Sequence, residues 1–114
     1  MESAQEFAER RGRENELVLK RANLPMKRFL AIDHDAYGDG ALPKAMKELL
    51  GPVASTVLRC DDCIHHHVAE ASSAGVTVEQ VTEALGIALV VGGSITIPHV
   101  RRAFEILDSI EGSG

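Results

Sequence analysis

The chain has 114 residues, of which 45% are apolar and 25% charged, and its formal net charge is −5. This length fits a single domain that buries one core, and the apolar content excludes intrinsic disorder. Because nucleic-acid-binding domains favour basic surfaces, the acidic balance argues against nucleic acid as a partner.

The sequence contains no candidate membrane-spanning segment. A transmembrane helix takes about 20 apolar residues, and the longest apolar stretch, residues 84–91, is less than half as long. The charged N-terminus, MESAQEFAERRGRENE, also lacks the apolar region of a secretory signal. We therefore expect a cytoplasmic protein with no membrane partner.

Residues 1–40 are predicted to form an N-terminal helical segment. A charged helix is expected over residues 3–22, and Pro25 suits the first turn of a second helix that runs to about residue 37. The apolar positions of the first helix are Phe7, Leu17, Val18 and Ala22. A small subunit has little room to bury such a stripe, so this segment is expected to contribute to an oligomer interface.

Residues 41–111 are predicted to form the core of the domain, and its first helix is expected to be kinked or broken. That helix begins at Pro43 and runs to Leu50. The pair Gly51–Pro52 then interrupts it, because an internal proline removes a backbone hydrogen bond and clashes with the preceding turn. A further helical piece is expected over residues 53–58.

The remaining sequence predicts three further helices. One covers residues 60–74 and ends at Gly75, and the next begins at a capping box formed by Thr77 and Gln80. The last begins after Gly92–Gly93. Its expected buried stripe is Val100, Ala103, Phe104, Leu107 and Ile110. Because apolar residues recur with a helical period, the fold class is expected to be all-α, with about six to seven helices in a single domain.

The segment CDDCIHHH, which begins at Cys60, holds both cysteines of the chain. At 100° per residue, Cys60, Cys63 and His67 share one helix face within about 60°. Ile64 lies on that face too, so the face is expected to point towards the apolar core.

Two thiols and an imidazole on neighbouring turns of one helix suit redox chemistry. A thiol attacks as a thiolate, and the usual cysteine pKa of about 8.5 falls at a helix N-terminus or beside an imidazole. A second cysteine three residues away can trap a sulfenic acid as a disulfide.

Two other interpretations of the motif remain open. The cysteines can be inert core residues, or they can bind zinc together with His67 and a fourth ligand from His65, His66 or His99. His65 and His66 point away from the cysteines on the helix and are expected to be exposed. His99 is expected at a subunit interface or near the start of the last helix.

Residues on both sides extend the motif. Glu48 precedes the cysteines in an apolar helix, and the sequence EASSAGVTVE, from residue 70, and then Gly92–Gly93 follow them. This ensemble resembles the carboxymuconolactone decarboxylase-like superfamily over residues 42–107. A glutamate followed by C-x-x-C-x-x-x-H resembles, within it, the AhpD-like branch of alkylhydroperoxidases.

The resemblance implies an all-α subunit of a homo-oligomer, either a trimer or a hexamer. It implies that Cys63 attacks a peroxide, that Cys60 resolves the product, and that His67 and Glu48 relay protons. The expected partners are a small hydroperoxide or disulfide substrate and an external thiol reductant protein. That chemistry requires no bound cofactor, and no metal ion is assigned to the site.

Two features near the motif affect these expectations. Glu48 lies outside the cysteine helix, so it reaches the site only if the chain folds back after Pro52. Asp62 stands where the alkylhydroperoxidases can carry a histidine. Together with Asp61 it suits the helix dipole but opposes a thiolate, so we expect thiols less acidic than in a dedicated peroxidase.

Two functions of other classes also remain open. One is a non-redox oligomer with a metal-binding or structural role, which stoichiometric zinc lost together with Cys60 would favour. The other is a carboxymuconolactone decarboxylase-like enzyme that acts on a small lactone or acid, whose activity would be indifferent to cysteine alkylation.

Overall fold

Six α-helices and one short 3-10 helix make up the computed structural model, which describes residues 2–113. They are α1 (Ala4–Arg21), α2 (Leu24–Ala36), α3 (Lys44–Val57), α4 (Asp61–Ser73), α5 (Val78–Gly92), the 3-10 helix (Ser94–Thr96) and α6 (Ile97–Ser113). Residues 2–113 contain no strand, so the predicted all-α class is confirmed. None of the helices in this range combines the length and hydropathy that crossing a membrane requires.

Short polar side chains start three of the helices. Ser3, Asn23 and Thr77 each accept a hydrogen bond from the backbone N–H three residues later, at 3.0–3.1 Å. The Thr77 N–H donates in return to Gln80 Oε1 at 2.9 Å, which is the predicted capping box. Each N-cap stabilises its helix by about 1 kcal/mol. These bonds are local, which is why the sequence predicts these helix starts closely.

Helix α3 is continuous through Gly51 and Pro52, so of the predicted kink or break, the break is wrong. An internal proline costs the helix one hydrogen bond, the one that its N–H would donate to the carbonyl four residues earlier, here that of Glu48. Both residues are buried in a helix that packs against α4 and α5, and such packing stabilises helices more than local propensity does. The chain folds back after Pro52, at residues 58–60, so that α4 packs against α3.

The hydrophobic core lies between α4, α5 and α6. Its buried residues are Ile64, Val68, Ala71, Val81, Leu85, Ala103, Ile106 and Leu107. Burying an Ile, Val or Leu side chain contributes about 1.5–3 kcal/mol. The predicted stripe of α6 is wrong at Phe104, which is 43% exposed, and Ile106 is buried in its place. Phe104 lies about 100° around the helix from Ala103, whereas Ile106 lies only about 60° from it.

The two N-terminal helices meet the core differently. The first turns of α1 pack on α4 and α6 through the buried Phe7. Leu17, farther along α1, is exposed, and α2 buries none of its side chains. The exposed large apolar side chains of α2 are Leu24, Met26, Phe29, Leu30 and Ile32. Helix α2 therefore presents an apolar surface to solvent.

Candidate redox site

Cys60 and Cys63 form a disulfide at the N-terminus of α4, with their Cα atoms 5.3 Å apart. Cys60 occupies the N-cap, and its Sγ accepts a hydrogen bond from the Cys63 N–H at 3.3 Å. This N–H and the positive end of the helix dipole face the Cys60 sulfur. The local geometry therefore favours a thiolate at this helix end.

The disulfide lies at the edge of the buried face of α4. Ile64 is fully buried, as predicted, but Cys63 is exposed and Cys60 is partly exposed. The expectation that the whole cysteine face points inward is therefore wrong. The buried face is centred near Val68, which lies about 140° around the helix from Cys63. As a result, Cys63 lies at the surface of the described subunit.

Backbone contacts fix the turn that leads into the disulfide. The Cys60 N–H donates to the Ser55 carbonyl at 3.1 Å, and the Arg59 N–H donates to the Thr56 carbonyl at 3.0 Å. Arg59 itself adopts a left-handed backbone with φ of 60°, which costs a non-glycine residue about 1–2 kcal/mol. This turn sets the start of α4 directly against the end of α3.

His67 follows Cys63 by one helical turn, and its ring packs on Gly51 of α3. A Cβ built on Gly51 would lie 2.7 Å from His67 Nδ1, so only a glycine leaves room for the ring. Gly51 itself lies one turn after Glu48. Because α3 and α4 pack side by side, this close approach brings Glu48 and His67 together at the helix interface.

Burial and charge act in opposite directions on His67. Burial lowers the pKa of the imidazole, and the nearby Glu48 carboxylate raises it by a smaller amount. His67 Nδ1 is buried and makes no hydrogen bond to the part of the chain that the structure describes. The ring is therefore neutral near pH 7 and able to accept a proton.

Glu48 is a buried carboxylate, 4% exposed, with a lysine partner. Lys44 Nζ lies 2.9 Å from Glu48 Oε1, and this hydrogen bond raises the pKa of Lys44. The ring centroid of Tyr37 lies 6.1 Å from that of His67, and burial raises the pKa of the phenol. A cavity of about 190 Å³ beside Glu48 has Tyr37, Lys44 and His66 in its lining, and the cysteines lie outside it.

Sequence reasoning missed two members of this group. Lys44 lies four residues before Glu48 on a predicted helix. This spacing favours an ion pair, so the sequence alone could have indicated Lys44 as the partner of Glu48. Tyr37 comes from the far end of α2, and no local pattern links it to His67.

The expectation that His65 and His66 are exposed is wrong. His65 is 4% exposed, and its ring stacks on Phe7 of α1 with the centroids 4.2 Å apart. His66 is half-buried, and its ring centroid lies 4.9 Å from that of His67. Burial lowers the pKa of both rings. They lie away from the cysteines as predicted, but α1 covers that side of α4.

The two carboxylates of the motif have partners from distant helices. His99, near the start of α6, places Nδ1 2.8 Å from Asp61 Oδ1. Arg10 of α1 lies 3.7 Å from Asp62 Oδ1. Arg10 also bonds Glu2 at 2.8 Å, so its charge is shared between several acids.

A metal centre is not assembled from the described side chains. Between residues 2 and 113, no three His, Cys, Asp or Glu residues are grouped so that they could hold a metal ion. Both sulfurs are bonded to each other, and His65 and His99 make the other contacts described above. The ligand set that the zinc interpretation requires is therefore not present in this arrangement.

Comparison with known sequences places the chain among bacterial relatives. The model of the carboxymuconolactone decarboxylase family matches residues 25–105. An uncharacterised protein of the cox locus of Paracoccus denitrificans is 35% identical over 85 residues, 75% of this chain and 77% of that one. An uncharacterised protein of Cupriavidus necator is 32% identical over 85 residues, 75% of each chain.

Solved structures share the fold. A crystal structure of a Thermotoga maritima protein is 50% identical and has a TM-score of 0.90 over 96% of both chains. A second crystal structure of that protein has a TM-score of 0.86 over 93% of this chain and 90% of that one. In it, the Thermotoga maritima protein is described as a carboxymuconolactone decarboxylase family protein with a suggested role in antioxidative response. A family protein of Legionella pneumophila is 25% identical, with a TM-score of 0.85 over 92% of this chain and 94% of that one. With most of its sequence matched by the family model and its fold shared along nearly its whole length, the chain belongs to the carboxymuconolactone decarboxylase family.

Proposed function

We propose that this protein is a thiol-dependent oxidoreductase that cycles Cys60 and Cys63 between dithiol and disulfide. The observation that carries the proposal is the disulfide at the start of α4, with an accessible Cys63 and with His67 one turn away. The substrates that fit are small hydroperoxides and partner disulfides. The antioxidative role suggested for the Thermotoga maritima relative supports the same class of chemistry.

In the peroxide reaction, the Cys63 thiolate attacks the terminal oxygen of the hydroperoxide. The O–O bond breaks, and the alkoxide takes up the former thiol proton and leaves as the alcohol. The sulfenic acid on Cys63 is then attacked by the Cys60 sulfur, an S–S bond forms, and the hydroxyl leaves with a proton as water. Two electrons pass from the two thiols to the peroxide, and an external dithiol restores them.

His67 and Glu48 are proposed as the proton handlers of this cycle. His67 is neutral near pH 7 because of burial, so it can take the proton of the attacking thiol and return it to the leaving alkoxide. Glu48, buried against Lys44, faces His67 across the α3–α4 contact and holds the charge that stabilises the imidazolium. Neither role needs a bound cofactor.

The cycle also suggests where the protein works and how it assembles. An external thiol protein must reduce the disulfide, which suits a reducing compartment such as the cytoplasm. The exposed apolar side chains of α2 suit a homo-oligomer, a trimer or a hexamer, in which residues 1–40 contribute to the interface.

The reaction is tested by hydroperoxide consumption with dithiothreitol as the reductant. We expect turnover by the wild-type protein and none by Cys63→Ser. Cys60→Ser, the matched control, keeps the nucleophile and loses the resolving thiol. After the dithiothreitol is removed, it should react once with added hydroperoxide and accumulate the sulfenic acid, visible by intact mass.

Peroxide turnover that survives Cys63→Ser would overturn the assigned roles. A wild-type protein that reduces a small model disulfide but leaves hydroperoxides intact would restrict the function to disulfide exchange. A wild-type protein inactive on both substrates would contradict the proposal. The helical circular dichroism spectrum of each variant verifies that the comparison is made between folded proteins.

A further inference from the structure

The two aspartates between the cysteines carry negative charge, which destabilises the thiolate that the proposed function needs. Asp61 and Asp62 occupy the first turn of α4, where negative charge suits the helix dipole. The same charge beside a sulfur raises the thiol pKa, because two like charges repel. The redox pair therefore benefits from any group that counters these carboxylates.

Asp61 has one such group, and it comes from far along the chain. His99 Nδ1 lies 2.8 Å from Asp61 Oδ1, across 38 residues of sequence. The His99 side chain is only 21% exposed, so the surrounding structure holds the ring in place. Helix α6 packs against α4, and that packing sets the two side chains together.

Asp62 is held less firmly. Its side chain is 72% exposed, and its contact with Arg10 is long, at 3.7 Å. Arg10 already pairs with Glu2 and Glu14. Water screens such an exposed pair, so it contributes little. Of the two carboxylates, Asp61 is the one that directly follows Cys60 and the one with a short, partly buried partner.

Other charged and titratable groups lie near the first two turns of α4, on α4 itself and on the helices packed against it. They are Asp61, Asp62, His65 and His67 of α4, His99 and Arg102 of α6, Glu2 and Arg10 at the start of the chain, Glu48 of α3 and Arg59 of the preceding turn. Two contacts among these groups join a charged or titratable partner to a residue next to a cysteine, and His99–Asp61, at 2.8 Å, is much shorter than Arg10–Asp62, at 3.7 Å.

We propose that His99 is a positioning residue for the redox pair, which holds the Asp61 carboxylate and counters its charge so that a thiolate forms more readily at the start of α4. This inference rests on the proposed thiol chemistry. His99 donates from Nδ1–H to the Asp61 carboxylate both as the neutral ring with its proton on Nδ1 and as the doubly protonated ring. The doubly protonated ring also cancels the charge of the carboxylate.

The test measures the pKa of each thiol in the reduced protein from the rate of alkylation against pH, resolved by mass spectrometry. His99→Ala should raise the pKa of the more acidic thiol by about half a unit to one unit, since Asp61 then acts on it uncountered. Asp61→Asn should lower that pKa, and in the Asp61→Asn background the His99 substitution should have no further effect. Asp108→Asn, an exposed carboxylate elsewhere on α6, controls for net charge and should change nothing.

Two outcomes would overturn the inference. One is an unchanged thiol pKa in His99→Ala that is folded by circular dichroism. The other is an equal shift with and without Asp61, which would show that His99 acts by another route. If His99→Ala fails to fold, His99→Leu, which fills the same space with neither a donor nor a charge, takes its place in both backgrounds, and an unchanged thiol pKa in it overturns the inference in the same way. Because alkylation needs no substrate turnover, a failure of the proposed peroxide or disulfide activity would be seen separately.

Discussion

Burial lowers the pKa of all three histidines of α4. The pKa values of His65, His66 and His67 are all lowered, chiefly because their rings lie away from water. In the unfolded chain each ring protonates near its usual value of about 6.5. Below that pH the unfolded state binds more protons than the folded state, so folding stability is present above about pH 6.5 and is lost as the pH falls.

We therefore expect the free energy of unfolding to fall between about pH 7.5 and about pH 5.5, as measured by urea denaturation. His65→Leu, which fills the same buried site beside Phe7 without titrating, should show a smaller fall. His34→Ala is the control, because the His34 side chain is 91% exposed and should leave the pH dependence unchanged. An equal fall in His65→Leu and in the wild-type protein would contradict this account.

For single residues, the sequence predicts positions along a helix better than contacts with distant parts of the chain. Helical geometry predicts from their spacing that Cys60, Cys63 and His67 lie close together, and the structure places Cys60 at the N-cap of α4 and the other two in its first two turns. The burial of His65 and the partner of Asp61 depend on α1 and α6, which approach from distant parts of the chain. No local pattern carries that information.

Among the helices, the contact between α3 and α4 matters most for the proposed chemistry. Gly51→Ala adds a Cβ where the His67 ring lies, 2.7 Å from Nδ1. Either the ring turns or the helices separate, so we expect a stability loss of about 1–3 kcal/mol and a larger proportional loss of peroxide turnover. Urea denaturation and peroxide consumption measure the two effects.

Gly86→Ala is the matched control for this substitution. Gly86 lies inside α5, and a Cβ there meets nothing within 4 Å. Alanine favours a helix over glycine by about 1 kcal/mol, so stability should rise and turnover should stay unchanged. A Gly51→Ala protein with wild-type turnover would show that the position of the His67 ring does not limit the reaction.

The helices are likewise predicted correctly where local residues determine them and incorrectly where tertiary packing does. The first helix, the cysteine helix and the capping box at Thr77 are predicted closely, because their boundaries depend on nearby caps and glycines. The break predicted at Gly51–Pro52 is wrong, because the packing of α3 on α4 and α5 offsets a local preference. Phe104 and Ile106 exchange roles for a related reason, since the direction from which α4 and α5 approach decides which side of α6 is covered.

For the whole molecule, the apolar surface of α2 leads to a prediction about assembly. Phe29 is 67% and Ile32 is 66% exposed, an arrangement that leaves large apolar side chains in water unless another subunit covers them. We expect light scattering to give three or six times the subunit mass of 12.3 kDa. Phe29→Gln combined with Ile32→Gln should shift the mass towards that of one subunit.

Asp108→Asn, at an exposed position of α6 outside residues 1–40, is the control for this pair and should leave the mass unchanged. A wild-type protein that runs as a single subunit at all concentrations tested would contradict the assembly. So would an unchanged mass for the double substitution, which would move the interface away from α2.

The position of Glu48, Gly51 and Ser55 along α3 makes the site sensitive to the length of that helix. They are spaced three and four residues apart, so one face of α3 carries the carboxylate proposed to handle protons, the glycine against which the His67 ring packs, and the carbonyl that accepts the Cys60 N–H. Removing or inserting one residue between Glu48 and Ser55 would rotate one of these groups by about 100° relative to the others. Relatives that keep this chemistry should therefore vary in length at the loops on either side of α3 and not within it.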